Sequence, residues 1–241
     1  MQRIRSHLFD AVLVLWTAMF APALAVLLIC GRPKLPIRAT SRVWAKGILV
    51  ALRWTVGLTH VEHGRHNLPA GPYLIVANHQ SPWETIAFLT LVPNVAIVAK
   101  RELLAIPVMG WFLRHSPMIL IDRERGGSAI RHMLSETRKA LAQGRPVLVF
   151  PEGSRRSVSS DVEFKRGIEL LYLQLGVPVL PVALDSGRFW GADTPFKRRG
   201  AITVSYLSPI QPGLSGTEFL RRAQRAVQDA LSARTPAHVA A

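Results

Sequence analysis

Cysteine is almost absent from this chain. Cys30 is the only thiol among 241 residues, so the sequence allows neither an internal disulfide nor a thiolate cluster for zinc or iron–sulfur binding. A single cysteine is typical of a protein from a reducing compartment. Zinc fingers, disulfide scaffolds and cysteine-nucleophile enzymes are therefore excluded as classes.

Acidic residues are also scarce. Fifteen Asp and Glu oppose thirty Lys and Arg, which gives a formal net charge of +15. The partner, substrate or supporting surface is expected to be anionic: nucleic acid, a membrane face, a phosphorylated metabolite or an acidic carrier protein. With 49% hydrophobic and only 19% charged residues, the chain does not have the composition of a disordered polymer. Its length suits one α/β domain with a sizeable core.

A long apolar run lies near the start of the chain. Residues 8–29 contain one charge, Asp10, and are long enough to cross a bilayer. A cleaved secretory signal is disfavoured because apolar residues continue beyond Ala25 to Ile29. Two membrane modes stay open: a spanning helix, or an interfacial hairpin broken at Pro22. The basic flanking residues are Arg3, Arg5, Arg32, Lys34, Arg38 and Arg42.

These flanks set the expected location and domain division. By the positive-inside rule, the residues after the apolar run are expected on the cytoplasmic side of the cell (inner) membrane. The cations also predict contact with an anionic membrane surface. The sequence therefore divides into a membrane-anchoring segment, residues 1–35, and an α/β domain, residues 36–241.

The rest of the sequence alternates between two patterns. Short β-branched runs predict buried strands, and segments of helical period predict helices between them. Strands alternating with helices indicate an α/β fold: a single domain with a mostly parallel central sheet flanked by helices. The predicted strands are 73–77, 95–99, 118–122, 147–150, 179–184 and 201–206, and the predicted helices include 127–142 and 217–231.

His79 and Glu84 form the first candidate site. The strand over 73–77 ends just before His79, and Pro82 suits the first turn of a helix. His79 is therefore expected at a strand end, where α/β sheets bind ligands. A neutral imidazole there can accept the proton of an alcohol that attacks an acyl carbon, while Glu84 orients the ring. The alternative is that Glu84 only completes a capping box with Ser81.

The second candidate site is the turn at residues 150–155, which reads FPEGSR. Gly153 lets backbone N–H groups approach an anion, the Ser154 hydroxyl adds a donor, and Arg155 can bind phosphate oxygens as a fork. Glu152 could accept a substrate hydroxyl or hold the arginine. The alternative is a solvated polar turn.

Together these motifs resemble the glycerolipid acyltransferase family that includes the 1-acyl-sn-glycerol-3-phosphate acyltransferases. That family carries a His-x4-Asp pair and a Phe-Pro-Glu-Gly-Thr-Arg turn, and this chain has His79-x4-Glu84 and the 150–155 turn. Two further blocks fit, residues 100–123 and 177–182, so the resemblance covers about residues 60–190. It implies phosphate binding by Arg123 of the first of these blocks, with Lys100 as a further candidate.

The resemblance implies transfer of a fatty acyl group from acyl-CoA or acyl-carrier protein to the sn-2 hydroxyl of lysophosphatidic acid, giving phosphatidic acid for phospholipid biosynthesis. His79 would be the general base. The acyl donor is a substrate, and no cofactor is implied. The expected catalytic residues are His79 and Glu84; the expected phosphate-binding residues are Lys100, Arg123, Glu152, Gly153, Ser154 and Arg155.

Alternatives to this assignment stay open. The acceptor could instead be glycerol 3-phosphate, another lysophospholipid or an amino-acid-derived lysolipid. A non-catalytic, membrane-tethered basic protein is the alternative from another class, but no motif of basic and interleaved aromatic residues for nucleic acid is present. His60, His63 and His66 are spaced three residues apart in a polar stretch before Asn67, with no cysteine nearby, and no metal site is predicted there.

Overall fold

The computed structural model describes residues 1–106, 108–116, 118–122, 126–192 and 194–233. In these ranges the chain forms an α/β domain around a seven-stranded sheet. The strands are β1 (Leu58–His63), β2 (Leu74–Ala77), β3 (Ala96–Lys100), β4 (Ile119–Ile121), β5 (Val147–Val149), β6 (Val179–Leu184) and β7 (Gly200–Tyr206). The helices are α1 (Gln2–Ala18), α2 (Ala21–Ile29), α3 (Lys34–Thr55), α4 (Pro82–Leu91), α5 (Met109–His115), α6 (Gly127–Ala142), α7 (Gly167–Leu175), α8 (Gly187–Trp190) and α9 (Gly216–Ser232).

The strand order across the sheet is β1-β7-β6-β2-β5-β3-β4. Each described strand pair is parallel except β6 and β7, which are antiparallel. The carboxyl ends of β2, β3, β5 and β6 therefore meet at one edge. Because β7 runs against β6, the beginnings of β7 and β1 lie at this same edge.

Hydrophobic cores cover both faces of the sheet. On one face, Ile75 and Leu148 pack with Trp83 and Phe88 of α4 and with residues of α3. On the other face, Leu74 and Val147 pack with residues of α6, α7 and α9. Because helices cover both faces, β2 is buried along its whole length, as the uninterrupted apolar run predicted.

The apolar amino-terminal stretch forms two helices. α1 ends at Ala18 and α2 begins at Ala21, so the break precedes Pro22, which has no N–H to continue the helical ladder. The region Gln2–Ile29 is long and apolar enough to cross a membrane, and only 11% of its most apolar window is buried.

α1 is docked on α3. Trp16 Nε1 donates a hydrogen bond to the backbone oxygen of Trp44 (2.9 Å), and Trp44 Nε1 donates to Thr17 Oγ1 (3.1 Å). Phe9 is fully buried in the main core with Ile48. The first helix therefore packs against the α/β domain along much of its length.

The prediction of a mostly parallel sheet flanked by helices is confirmed, and β6 and α6 have the predicted bounds. One strand was missed, β1. Only Leu58 and Val61 of its six residues are apolar, and Val61 is exposed because the strand lies at the edge of the sheet. Two isolated apolar residues are a weaker signal than the uninterrupted apolar runs of the buried strands.

Candidate active site

His79 lies in the turn between β2 and α4. Asn78 fixes this turn: its buried side chain donates from Nδ2 to the backbone oxygen of Leu184 (2.7 Å) and accepts from the backbone N–H of Leu184 at Oδ1 (2.8 Å). Ser81 caps α4 by accepting the backbone N–H of Trp83 (3.1 Å). A strand end and a helix start thus hold His79 from both sides.

Glu84 both caps α4 and contacts the histidine. Its Oε1 accepts the backbone N–H groups of Gln80 (2.9 Å) and Ser81 (3.0 Å), which completes the capping box. Its Oε2 lies 2.5 Å from His79 Nδ1. The Ser186 hydroxyl also donates to Oε1. The two alternatives for Glu84 are therefore compatible, since its two oxygens face different partners.

The orientation of the His79 ring follows from these contacts. A carboxylate beside Nδ1 holds the proton on Nδ1, which leaves the lone pair on Nε2. Phe150 stacks on the ring, with centroids 4.3 Å apart and planes 23° from parallel. The His79 side chain is 17% exposed. The imidazole thus has a fixed plane and tautomer and is accessible at one end.

The glycine turn is bonded directly to the histidine turn. The backbone N–H of His79 donates to Glu152 Oε2 (2.8 Å), and the backbone N–H of Arg156 donates to the His79 carbonyl (2.7 Å). Gly153 has φ +79°, in the left-handed region that favours glycine. The two motifs therefore form one unit in which Glu152 holds the His79 backbone.

Burial raises the pKa of Glu152 to about 7. The carboxyl group is almost fully buried (2% exposed). The nearby Glu84 carboxylate raises this pKa further, while the His79 N–H and Arg156 oppose the shift. The Glu152 carboxyl is thus held beneath the turn and binds backbone.

We expect Glu152→Gln to change how stability depends on pH. The carboxyl titrates near its ordinary pKa of 4.5 when unfolded and at about 7 when folded, so its ionisation makes the wild-type free energy of unfolding fall between these pH values. Glutamine keeps an oxygen for the His79 N–H but does not titrate. The difference between the two unfolding midpoints, variant minus wild type, should therefore increase from pH 4.5 to pH 7. A constant difference would contradict the raised pKa.

Five of the predicted residues surround one polar cleft of about 360 Å³: His79, Lys100, Gly153, Ser154 and Arg155. Glu84 and Glu152 lie behind it and hold His79. Arg123 lies outside the described residues. The arrangement can place a base beside cationic and hydroxyl groups within one small-molecule-sized space, so it can bind an anionic alcohol and deprotonate it.

Comparison with known proteins identifies the family of this chain. The family model described as Acyltransferase matches residues 60–185, which contain both turns. The 1-acyl-sn-glycerol-3-phosphate acyltransferase of Pseudomonas aeruginosa is 35% identical over 176 residues, covering 71% of this chain and 68% of that protein. This chain belongs to the acyltransferase family.

Two further matches are a mammalian relative and a solved structure. The 1-acyl-sn-glycerol-3-phosphate acyltransferase alpha of Mus musculus is 32% identical, and the match covers 68% of this chain and 59% of that protein. The crystal structure of the 1-acyl-sn-glycerophosphate acyltransferase PlsC from Thermotoga maritima superposes with a TM-score of 0.76 over 100% of both chains at 21% identity. That likeness shows a shared fold.

An apolar cleft of about 150 Å³ adjoins the polar cleft of this acyltransferase. Thr85, Leu103 and Arg155 border both clefts. The apolar cleft runs between α3, α4 and α5, and its other apolar lining includes Trp44, Ile86, Leu89 and Phe112. A second apolar cleft, of about 280 Å³, borders Phe150 and Gly153 from the α6 face of the sheet. Apolar space therefore adjoins the polar cleft on both faces.

Two residues of the acyltransferase site were missed from sequence. Lys165 lies over the glycine turn: its backbone N–H donates to the Pro151 carbonyl (3.0 Å), and a Cβ added at Gly153 would lie 2.9 Å from Lys165 Nζ. Ser186 is fully buried and donates to Glu84. Lys165 could have been noticed as a cation just before the apolar pattern of α7. Ser186 offered no such signal, because it meets Glu84 only through the pairing of β6 with β2.

The described residues contain no group of three or more His, Cys, Asp or Glu side chains that could hold a metal ion. His60 and His63 lie on β1, and His66 lies in the following 3₁₀ turn. The His60 ring contacts Trp83, with centroids 5.6 Å apart. Burial lowers the pKa of His60, which Glu62 partly opposes. His60 therefore packs against the helix of the active site.

Proposed function

We propose that this protein transfers a fatty acyl group from acyl-CoA or acyl-carrier protein to the sn-2 hydroxyl of lysophosphatidic acid, giving phosphatidic acid. The observation that carries the proposal is the single cleft that holds His79, with its Glu84 partner, beside the Gly153 turn and two cations. The names of the relatives, 1-acyl-sn-glycerol-3-phosphate acyltransferases, support this acceptor.

His79 acts as general base in the proposed reaction. Nε2 takes the proton of the acceptor hydroxyl as its oxygen attacks the thioester carbonyl. The imidazolium is stabilised by Glu84, which contacts Nδ1. When the carbon–sulfur bond breaks, the thiolate leaves and takes the proton from Nε2. The histidine returns to its starting form without a covalent enzyme intermediate.

The cations fix the acceptor. Lys100 and Arg155 line the cleft with His79 and are exposed to it. Binding the acceptor phosphate there places its hydroxyl near the imidazole, so the cations act on orientation. Arg123, outside the described residues, stays a predicted member of this group by resemblance.

Two apolar clefts suit a reaction with two acyl chains. The donor and the acceptor each carry one, and the polar cleft is bordered by apolar space on both faces of the sheet. Apolar lining with a few polar groups at one end is typical of lipid-sized ligands. We assign the α3–α4–α5 cleft to the donor chain, because it meets the polar cleft at Arg155 and at Thr85 of the catalytic helix.

We further propose attachment to the cytoplasmic face of the cell (inner) membrane in a monotopic mode. α1 and α2 expose large apolar side chains, including Ile4, Leu15 and Ile29, which is typical of a membrane-contacting surface. A spanning arrangement would pull α1 from α3 and break the paired tryptophan hydrogen bonds. Lipid substrates could then reach the cleft without leaving the bilayer.

Product analysis tests the activity directly. Detergent-purified protein would be given a panel of acceptors, namely lysophosphatidic acid, other lysophospholipids, glycerol 3-phosphate and an amino-acid-derived lysolipid, each with acyl-CoA and with acyl-carrier protein. Mass spectrometry of the lipid products should show phosphatidic acid as the main product. A larger yield from another acceptor would replace lysophosphatidic acid, and no product from any combination would overturn the enzyme assignment.

Lys165→Ala should raise KM for the acceptor. The ammonium group lies over the phosphate-binding turn, and a charge-assisted hydrogen bond contributes about 1.5–3 kcal/mol. We therefore expect kcat/KM to fall roughly 10- to 100-fold, mainly through KM. Arg166→Ala is the matched control, since it removes an exposed cation from the next position that does not line the clefts. Equal effects of the two variants would contradict a specific role for Lys165.

A further inference from the structure

A second basic cavity lies away from the polar cleft, at the same edge of the sheet. It has a volume of about 300 Å³ and is lined by Gln2 and Arg5 of α1, Val56, and the Lys197–Arg198–Arg199 turn before β7. β7 is two strands from β2, so the cavity lies about 10 Å or more to the side of His79 across the sheet. It shares no lining residue with the polar cleft.

The turn that forms this cavity is held firmly. Lys197 is 92% buried on its side chain, where Asp10 pairs with its ammonium group. The same ammonium lies 5.2 Å from the ring centroids of both Phe9 and Trp190. The backbone N–H of Lys197 donates to Ser6 Oγ (3.3 Å). The turn is therefore fixed to α1, the helix with the exposed apolar face.

Arg198 and Arg199 are held by backbone contacts on either side. The Arg198 N–H donates to the Phe189 carbonyl (2.8 Å), and Gly200 N–H donates to the Gly57 carbonyl (3.2 Å). Gly57 has φ +80°, and a Cβ there would lie 3.0 Å from Arg199 Cγ. A glycine at this position lets the arginine stem cross the start of β1.

No carboxylate of the described residues compensates the positive charge of the arginines in the cavity. Within the described part of the chain, the guanidinium groups of Arg5, Arg198 and Arg199 form no ion pair or side-chain hydrogen bond, and no carboxylate lines the cavity. The nearby Asp10 already binds Lys197. Three guanidinium groups around one concave space, with no side-chain partner among the described residues, fit the oxygens of a phosphate group.

Exposed apolar residues neighbour the cavity residues along the chain. Met1 and Ile4 flank the α1 residues of the cavity and are 95% and 72% exposed. Trp54 is 80% exposed and lies two residues before Val56. Cations beside exposed apolar and tryptophan side chains are typical of a surface at the level of the lipid headgroups. Exposed apolar side chains would not contribute to binding a soluble anion.

We propose that this cavity binds the headgroup phosphate of an anionic bilayer phospholipid and so orients the catalytic edge on the membrane. The lipid here is a structural ligand and not a substrate. The proposal rests on membrane attachment but not on acyl transfer, so loss of the site and loss of the proposed reaction are separate results.

The test measures lipid binding to the full chain in neutral detergent by native mass spectrometry. Phosphatidylglycerol is the probe, because phosphatidic acid would also enter the polar cleft as product. Arg198→Ala/Arg199→Ala should weaken phosphatidylglycerol binding at least about tenfold and leave phosphatidylcholine binding unchanged. The control, Arg221→Ala/Arg222→Ala, removes the same two charges from exposed positions on α9 and should bind like wild type. Equal thermal unfolding midpoints would show that both variants are folded.

Three results would overturn the proposal. Phosphatidylglycerol could bind equally to wild type and to Arg198→Ala/Arg199→Ala, or both double variants could weaken it alike, which would indicate net charge alone. Inorganic phosphate could bind through Arg198 and Arg199 more tightly than the lipid, which would make the ligand a free phosphate. The acyl-transfer assay of the wild-type chain tests the proposed function alone, and its outcome does not affect the interpretation of these lipid-binding results.

Discussion

His79→Ala should lower kcat by at least the ~10²–10⁴-fold typical of a lost general base. Nε2 is the ring nitrogen left free by the Glu84 contact, and the ring lies in the cleft with Lys100 and Arg155. The substitution leaves these cations in place, so KM for the acceptor should change far less than kcat. Steady-state rates of phosphatidic acid formation measure both.

His63→Ala is the matched control for this experiment. His63 is exposed at the end of β1, a strand whose carboxyl end lies at the sheet edge opposite the cleft. Its removal should leave kcat within a small factor of wild type. Undiminished turnover in His79→Ala would end the role of His79 as base, while equal losses in both variants would indicate damage to the fold.

The sequence predicted the parts of the site that depend on local chain geometry. His79 and Glu84 are five residues apart across one helix start, and residues 150–155 form one turn, so their spacing was enough to predict both units. Their direct connection was implied only by the neighbouring positions of β2 and β5 in a parallel sheet. The backbone bonds of His79 with Glu152 and Arg156 depend on that pairing.

Contacts that depend on distant chain segments were not predictable in the same way. Ser186 reaches Glu84 because β6 pairs with β2, although the two residues are 102 positions apart. Lys165 returns over Gly153 through an irregular loop with no periodic pattern. The docking of α1 on α3 was hidden because an apolar helix suits lipid and protein equally well. In each case the missing information was the tertiary pairing.

Glu84→Gln should lower kcat about as strongly as loss of the base, by ~10²–10⁴-fold, while α4 stays capped. The amide oxygen of glutamine can still accept the N–H groups of Gln80 and Ser81. Its NH₂ group then faces His79 Nδ1, where the carboxylate oxygen was. An amide donor at that position requires Nδ1 to accept a hydrogen bond, so the proton moves to Nε2 and the base is lost.

Two further variants separate the tautomer from the helix cap. Ser81→Ala removes the hydroxyl that accepts the Trp83 N–H, so it should lower the free energy of unfolding by about 1 kcal/mol and leave kcat nearly unchanged. Glu84→Asp keeps a carboxylate and should retain more activity than the glutamine variant, despite its shorter reach. If Glu84→Gln lost stability like Ser81→Ala but kept its turnover, Glu84 would act only through the helix start. If Glu84→Gln instead loses turnover while its unfolding midpoint is unchanged, catalysis requires the carboxylate at Nδ1. Glu84→Gln and Ser81→Ala both leave the cations of the cleft in place, so loss of these cations would not explain the result.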